Sequence, residues 1–154
     1  MIHPLSEEKI EALLKTEVVG RLGCCHQEEM YIVPISYVYD GTSIYMHTQE
    51  GTKLDLMRKN PNVCFQADHL KDMANWKSVI AWGRFEELTQ KAEKEKALQL
   101  LLNRKLPIIS SATTHLGKNW PFSSNDMEEV GGVFFRITLT KKAGRFESYD
   151  SSNF

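Results

Sequence analysis

Two strands, a tight turn and the start of a short helix follow one another in a single stretch of the chain, Ile32-Val-Pro-Ile-Ser-Tyr-Val-Tyr-Asp-Gly-Thr-Ser-Ile-Tyr-Met-His-Thr-Gln-Glu-Gly-Thr-Lys-Leu-Asp55. β-Branched and aromatic residues mark the strands, and Asp40-Gly41 between them is a strong hairpin signal. The helix is predicted from Thr52 to about Lys59, because the residue before a proline, here Asn60 before Pro61, avoids helical geometry. The spacing of Thr52 and Asp55 predicts a capping box at its start.

The pattern on either side of this stretch completes a mainly β chain. Acidic residues and an apolar i, i+3, i+4 stripe predict a helix from Ser6 to about Thr16, and a second such stripe (Ala97, Leu100, Leu101) predicts one from about Gln90 to Lys105. Residues 110–129 have no clear period, which is typical of a functional or mobile loop, and residues 146–154 are predicted to be a tail. Six strands without a βαβ rhythm favour one domain over residues 1–154, a six-stranded antiparallel sheet that closes into a barrel with peripheral helices. The predicted strands are Val18–His26, Met30–Tyr39, Ser43–Gln49, Asn62–Asp68, Ser78–Leu88 and Val130–Thr140.

Composition excludes several classes of protein. The 154 residues are 42% hydrophobic and 25% charged, and the formal net charge is -1, so no overall positive field attracts nucleic acid. No signal peptide and no apolar run long enough for a membrane span is indicated, so we expect a cytoplasmic protein. The three cysteines, Cys24, Cys25 and Cys64, favour reduced thiols rather than a disulfide framework. Neighbouring strand residues face opposite ways, so Cys24 and Cys25 are expected to be small apolar residues rather than metal ligands.

Lys53 is the strongest pointer to a ligand. It lies in the first turn of a predicted helix, where free backbone N–H groups already make a positive end. A lysine there is unfavourable unless an anion joins it, and a phosphate suits both the N–H groups and the ammonium. We therefore expect Gly51, Thr52 and Lys53 to form a phosphate cradle, although the spacing of a Walker A loop is missing. The alternative is that Glu50 and Asp55 neutralise the lysine.

Pro34 lies in the middle of a predicted strand. Proline cannot donate to the ladder, so this strand is expected at an edge of the sheet or at a bulge. Backbone groups around Val33, Ile35 and Ser36 would then be available to a planar heterocycle. The plainer alternative is an edge strand with no ligand.

His47 is the candidate for proton chemistry. Strand alternation places it on one face with Tyr45 and Gln49, while Met46 and Thr48 share the other face with Ile44. An imidazole beside a ligand can donate a hydrogen bond or a proton, whereas the alternative is a solvated strand histidine.

Aromatic and basic residues elsewhere widen the candidate set. Trp82 and Arg84 lie in one predicted strand, and Trp120 and Phe122 lie in the long loop. The aromatic rings at these positions could stack on a flat ligand or seal a subunit contact, and the alternative is that they only anchor the core and the loop. Arg21, in an apolar strand, reaches either an anion or solvent. The GxSxG, HExxH, CxxC and GxGxxG motifs are all missing from the sequence, which disfavours hydrolase, zinc and dinucleotide-fold functions.

Five segments of the chain form an ordered pattern. They are Val18-Val-Gly-Arg-Leu-Gly23, Tyr31-Ile-Val-Pro-Ile-Ser-Tyr-Val-Tyr39, Ile44-Tyr-Met-His-Thr-Gln-Glu-Gly-Thr-Lys-Leu-Asp55, Arg58-Lys-Asn-Pro-Asn-Val-Cys-Phe65 and Trp76-Lys-Ser-Val-Ile-Ala-Trp-Gly-Arg-Phe-Glu86. In this order they resemble the pyridoxamine 5'-phosphate oxidase-like flavin proteins, and within them the nitroimidazole resistance (nitroimidazole reductase) group. The resemblance covers roughly residues 10 to 140. The basic C-terminal substrate motif of true pyridoxamine phosphate oxidases is not found, which disfavours vitamin B6 oxidation.

The resemblance implies a split β-barrel homodimer with FMN at the subunit interface. Residues 33–36 would meet the flavin ring through the backbone, residues 46–48 would flank it with His47 beside the ring, and residues 51–53 would hold the phosphate. Contacts from the partner chain are expected from Trp82, Arg84, Trp120 and Phe122, and Arg21 is a further candidate.

Two functions remain open at this level. The first is an FMN-dependent oxidoreductase that passes electrons from NAD(P)H to a small acceptor such as a nitroaromatic or 5-nitroimidazole, with His47 as the catalytic residue. The second is a flavin- or haem-binding sensor or store without turnover, in which His47 or His115 would be axial ligands. FAD could replace FMN if its adenylate projects into solvent.

Overall fold

The computed structural model describes residues 1–106, 122 and 124–149, which form eight strands and four helices. Their bounds are β1 Ile2–Pro4, α1 Glu7–Thr16, β2 Val19–His26, β3 Glu29–Ser36, β4 Val38–Tyr39, β5 Ser43–Thr48, α2 Thr52–Lys59, β6 Asn62–Asp72, β7 Asn75–Glu87, α3 Lys91–Asn103, α4 Met127–Val130 and β8 Val133–Glu147. None of these helices is long and apolar enough to cross a membrane.

The strands form one antiparallel sheet in the order β3-β2-β6-β7-β8-β5-β4, with β1 paired to the end of β8. The two edge strands, β3 and β4, are separated in the chain by Tyr37 alone. The sheet must therefore curl until its edges meet. The backbone N–H of Tyr37 donates to the carbonyl of Val18 at 2.9 Å, which extends the β2–β3 ladder up to this junction. The predicted mainly β, antiparallel split barrel is confirmed.

The structure has eight strands where six were predicted, and it corrects the bounds of several predicted strands. The predicted strand 30–39 is interrupted at Tyr37, because its two halves belong to opposite edges of the sheet. β8 continues to Glu147, past the predicted end at Thr140, because the long β7 offers backbone partners after the apolar alternation stops. A register shift at Trp82 accommodates the extra residue Thr140, whose hydroxyl donates to the carbonyl of Trp82 at 3.2 Å. β1 and α4 were not predicted.

The first turns of α1 and α2 differ in how they are capped. Ser6 caps α1 by accepting the backbone N–H of Lys9 at 3.3 Å, as its sequence predicts. The capping box predicted for α2 is absent: Gly51 is the N-cap, and no side chain caps the first turn. Thr52 is already the first helical residue, so its hydroxyl is not placed to accept from the first turn.

The core has two parts, on the two faces of β5. Ile44 and Met46 are fully buried inside the barrel, where Leu14, Phe65 and Phe135 also pack. On the other face, α3 covers the sheet, and a second cluster contains Tyr45, Leu98, Leu101 and Phe134. His47 shares this second face, so the candidate site lies between the barrel wall and α3.

Candidate functional site

His47 is held by contacts on two sides. Its Nε2 atom lies 2.8 Å from the carbonyl oxygen of Gly131. A carbonyl only accepts hydrogen bonds, so Nε2 carries the proton, and Nδ1 is the nitrogen left for another partner. The ring centroids of Phe134 and Phe122 lie 4.5 and 5.3 Å from the imidazole. The half-buried ring is therefore fixed in orientation.

The Gly131-Gly132 turn before β8 makes this arrangement possible. Both glycines have positive φ, 63° and 69°. A Cβ on Gly132 would come within 2.6 Å of His47 Nε2, whereas a Cβ on Gly131 would meet nothing within 4 Å. Gly132 is thus needed both for its backbone conformation and for the close approach of the imidazole.

A cavity of about 390 Å³ opens beside His47. We call it the His47 cavity. Ser36 lines it from the end of β3, which brings together three of the sequence-predicted residues, Ser36, His47 and Phe122. Its volume falls in the usual range of small-molecule sites. The remaining lining residues are Gln49, Leu101, Arg104 and Val130.

Arg104 is a cavity residue that the sequence did not single out. It follows α3 and is half-buried, and its Nη1 donates to the carbonyl of Tyr37 at 2.9 Å. Burial lowers the pKa of its guanidinium. A signal was available, because Ala97, Leu101 and Arg104 have i, i+4, i+7 spacing, so the arginine continues the buried stripe of the helix.

The start of α2 has the features of an anion site. Its first-turn N–H groups have no side-chain cap. The alternative partner Glu50 is bound elsewhere, since both of its carboxylate oxygens accept from Arg58, at 2.7 and 3.0 Å. Lys53 is half-buried and forms no ion pair with the other described residues. Burial raises the pKa of the Cys24 thiol, and the positive charge of Lys53 partly opposes that rise.

Three predicted residues lie on the outer face of the sheet but away from the His47 cavity. Arg21 bonds Asp68 at 2.5 Å, so it is not a free cation. Trp82 and Arg84 are on β7, and the ammonium of Lys141 stands 4.8 Å from the centre of the Trp82 ring. Within one subunit they do not reach the His47 cavity.

Trp82 borders a second hollow, of about 410 Å³, which we call the Trp82 groove. The groove is mostly apolar and shallow. Met30 and Ile32 on its rim are 83% and 71% exposed, unusual values for large apolar side chains. The register places Ile32, Gly23, Cys64 and Trp82 in one row across four strands. The groove is lined by Gly23, Cys24, Cys25, Met30, Tyr31, Ile32, Asn62, Cys64 and Trp82.

The other predicted residues divide by position. Val33, Pro34 and Ile35 precede Ser36 on β3, which is an edge strand as Pro34 predicts. The side chain of Met46 points into the barrel core, and the hydroxyl of Thr48 donates to the carbonyl of Gln49 at 3.1 Å, so neither side chain lines the cavity. Gly51 and Thr52 are exposed beside Lys53. Trp120 and His115 lie outside the described residues.

Comparison with known proteins gives concordant matches. The family model for pyridoxamine 5'-phosphate oxidase matches residues 6–146. An uncharacterized protein of Rhizobium meliloti is 34% identical in an alignment of 153 positions that covers 94% of this chain and 94% of that protein. The crystal structure of an FAD-binding protein from Mesorhizobium loti is 29% identical, with a TM-score of 0.74 over 96% of this chain and 99% of that one. A candidate 5-nitroimidazole antibiotic resistance protein from Bacteroides thetaiotaomicron, 18% identical, has the same fold with a TM-score of 0.71 over 95% of this chain and 87% of that one.

Proposed function

We infer the function from one premise: this chain belongs to the pyridoxamine 5'-phosphate oxidase family, as its motifs predict. We propose that it is an FMN-binding oxidoreductase that passes electrons to a small acceptor such as a nitroaromatic. The relative from Mesorhizobium loti is described as FAD-binding, which supports a flavin and leaves FAD as the alternative cofactor.

One observation carries the proposal. A helix start without a side-chain cap follows directly after the strand that bears His47, and its Lys53 forms no ion pair with any described residue. The free N–H groups and the ammonium fit a phosphate, and the His47 cavity has room for a small planar molecule within reach of the same strand. Glu50, which would otherwise neutralise this end, is occupied by Arg58.

Each residue then has a defined task. Gly51, Thr52 and Lys53 would hold the phosphate, and the backbone of residues 33–36 and 46–48 would meet the ring edge. A bound flavin supplies the electron- and hydride-transfer chemistry. His47 would orient the acceptor and exchange a proton at Nδ1, because Nε2 is held by the carbonyl of Gly131.

The phosphate assignment is tested with Lys53→Ala. Loss of one charge-assisted hydrogen bond costs about 1.5–3 kcal/mol, so FMN affinity should fall about 10- to 100-fold. Riboflavin, which has no phosphate, should bind both proteins equally. Lys59→Ala, at an exposed position at the other end of the same helix, is the matched control and should leave FMN binding unchanged. Equal FMN affinity in the Lys53 and Lys59 variants would show that the cradle is wrongly assigned.

Turnover is tested separately from binding. Purified protein should be yellow, and NAD(P)H under anaerobic conditions should bleach the flavin absorption band. A nitroaromatic acceptor added next should restore the band. A bound flavin that NAD(P)H does not bleach would favour the sensor or store function.

We also propose a homodimer that forms through the outer sheet face, which we define as Met30, Ile32, Cys64, Ile80 and Trp82. This face exposes large apolar side chains around the Trp82 groove, and contiguous patches of this kind mark interfaces. A partner subunit there would bring Trp82 and Arg84 into contact with a second chain, which agrees with their expected role across the interface.

Sedimentation velocity tests the dimer. Ile32→Glu places a charge on the outer sheet face and should give monomers that retain less flavin. Leu70→Glu is the matched control, because Leu70 is 61% exposed near the β6–β7 turn and outside the Trp82 groove. A wild-type monomer at micromolar concentration would refute the dimer, and so would a dimer unaffected by Ile32→Glu.

A further inference from the structure

Arg104 presents a half-buried positive charge to the His47 cavity, and no acidic side chain of the described residues pairs with it. Its Nε atom is buried and makes no hydrogen bond within the part of the chain that the structure describes. Its Nη1 atom donates to the neutral carbonyl of Tyr37. None of the described carboxylates forms an ion pair with it. The guanidinium therefore has donors without acceptors.

Arg136, unlike Arg104, is paired with acidic side chains. Arg136 also lies beside α3, and Glu86 binds it at 2.9 Å while Glu93 lies 3.9 Å away. The hydrogen bond to Glu86 raises the pKa of Arg136, whereas burial lowers that of Arg104. Taking an arginine out of water is costly unless an anion accompanies it. At Arg104 the place where such an anion fits is the cavity.

The cavity lining suits an anion attached to a flat apolar group. None of the described residues that line it carries a carboxylate, so no acidic group among them repels an anion. Ser36 and Gln49 supply further hydrogen-bond donors. Phe122, Leu101 and Val130 form apolar walls. About 390 Å³ accommodates a small aromatic ring with one ionised substituent.

We propose that the His47 cavity binds an anionic oxygen group, a carboxylate or a phosphate, through Arg104, and that an aromatic acid is the acceptor class the site selects. Arg104 is then a specificity-determining residue. The acceptor assignment rests on the proposed function, whereas the anion site stands on the cavity and the unpaired guanidinium. The anion has two possible sources, the carboxylate of an acceptor and the phosphate of the flavin.

Calorimetric titration with matched probes separates the two sources. 4-Nitrobenzoate and its neutral analogue 4-nitrobenzamide differ only in the charged group, as do FMN and riboflavin in the phosphate. Wild-type protein should bind 4-nitrobenzoate at least tenfold more tightly than 4-nitrobenzamide. Arg104→Gln should remove that preference, Arg104→Lys should restore part of it, and Arg136→Gln should retain it. If Arg104→Gln instead weakens FMN but not riboflavin, the anion is the flavin phosphate.

The proposal is overturned if the wild-type protein prefers neither anionic probe over its neutral analogue, or if Arg136→Gln and Arg104→Gln reduce the preference equally. The wild-type comparison decides the matter even if Arg104→Gln does not fold. Failure of the proposed function has a different signature: a protein that binds no flavin but prefers 4-nitrobenzoate keeps the anion site and loses the oxidoreductase. A protein that binds flavin but does not prefer the anionic probes would retain the proposed flavin function and lose the anion site.

Discussion

Gly132→Ala should destabilise the protein more than Gly131→Ala, although the two glycines are neighbours with similar φ angles, 69° and 63°. Both substitutions place a Cβ where L-residues rarely go. Only at Gly132 does that Cβ also collide with the molecule, at 2.6 Å from His47 Nε2 and 2.9 Å from the carbonyl oxygen of Thr48. The pair therefore separates backbone strain from contact with the imidazole.

The expected magnitudes follow from these two contributions. A non-glycine residue in such a conformation costs on the order of 1–3 kcal/mol. Overpacking against fixed neighbours adds about 1–3 kcal/mol. We expect a loss of about 1–3 kcal/mol for Gly131→Ala and about 2–6 kcal/mol for Gly132→Ala. In a chain of this size each kcal/mol corresponds to roughly 2–4 °C in Tm.

Urea unfolding monitored by circular dichroism measures both variants, and the ¹⁵N resonances of the His47 imidazole report on the ring. Gly132→Ala should shift those resonances because the collision displaces Nε2 from the carbonyl of Gly131. Gly131→Ala should shift them less. Equal losses of stability, or a larger loss at Gly131, would refute the idea that Gly132 is required for the approach of His47.

Three further predictions concern the scaffold. Leu14→Ala, at a fully buried position, should lower the free energy of unfolding by about 2–5 kcal/mol in urea denaturation. Tyr37→Phe removes a buried hydroxyl that donates to the carbonyl of Leu14 at 2.9 Å and should lower the free energy of unfolding by about 0.5–1.5 kcal/mol. Burial raises the pKa of Tyr37, so the wild-type phenol should stay protonated in an alkaline absorbance titration until the protein unfolds. For Glu11, burial pushes the carboxyl pKa up, but hydrogen bonds from Lys142 and Tyr39 hold it below its usual 4.5. Its contribution to stability is therefore present above pH 4.5 and lost as the pH falls through the lowered pKa, so Glu11→Gln should flatten the wild-type decline in stability below pH 4.5. An unchanged acid profile would contradict this role.

Local sequence determined the features that depend on a few adjacent residues. The Asp40-Gly41 turn is an example: the Asp40 carboxylate accepts the N–H groups of Thr42 and Ser43 at 2.9 and 2.8 Å, and Gly41 adopts a φ of 100°. Such a turn needs no distant partner, so its residues predict it. The edge position of Pro34 and the alternation along β5 follow equally from short-range rules.

Features that depend on distant residues could not be predicted in this way. The break at Tyr37 follows from closure of the barrel, since a continuous strand cannot be both edges of one sheet. The start of α2 lacks its predicted cap. Glu50 binds Arg58, about one and a half helical turns beyond Lys53, and therefore does not neutralise Lys53. Local spacing cannot show which of several carboxylates a cation will meet.

The sequence by itself thus determined the family, the mainly β architecture and the succession of a strand histidine and a lysine at the next helix start. These are properties of residue order and periodicity along the chain. Only the tertiary structure decided that Arg104 faces the same cavity as His47, and that Trp82 and Arg84 lie away from that cavity on the outer face of the sheet. The reason is geometric: the position of a helix over a sheet, and the register of five strands, depend on the packing of residues far apart in sequence.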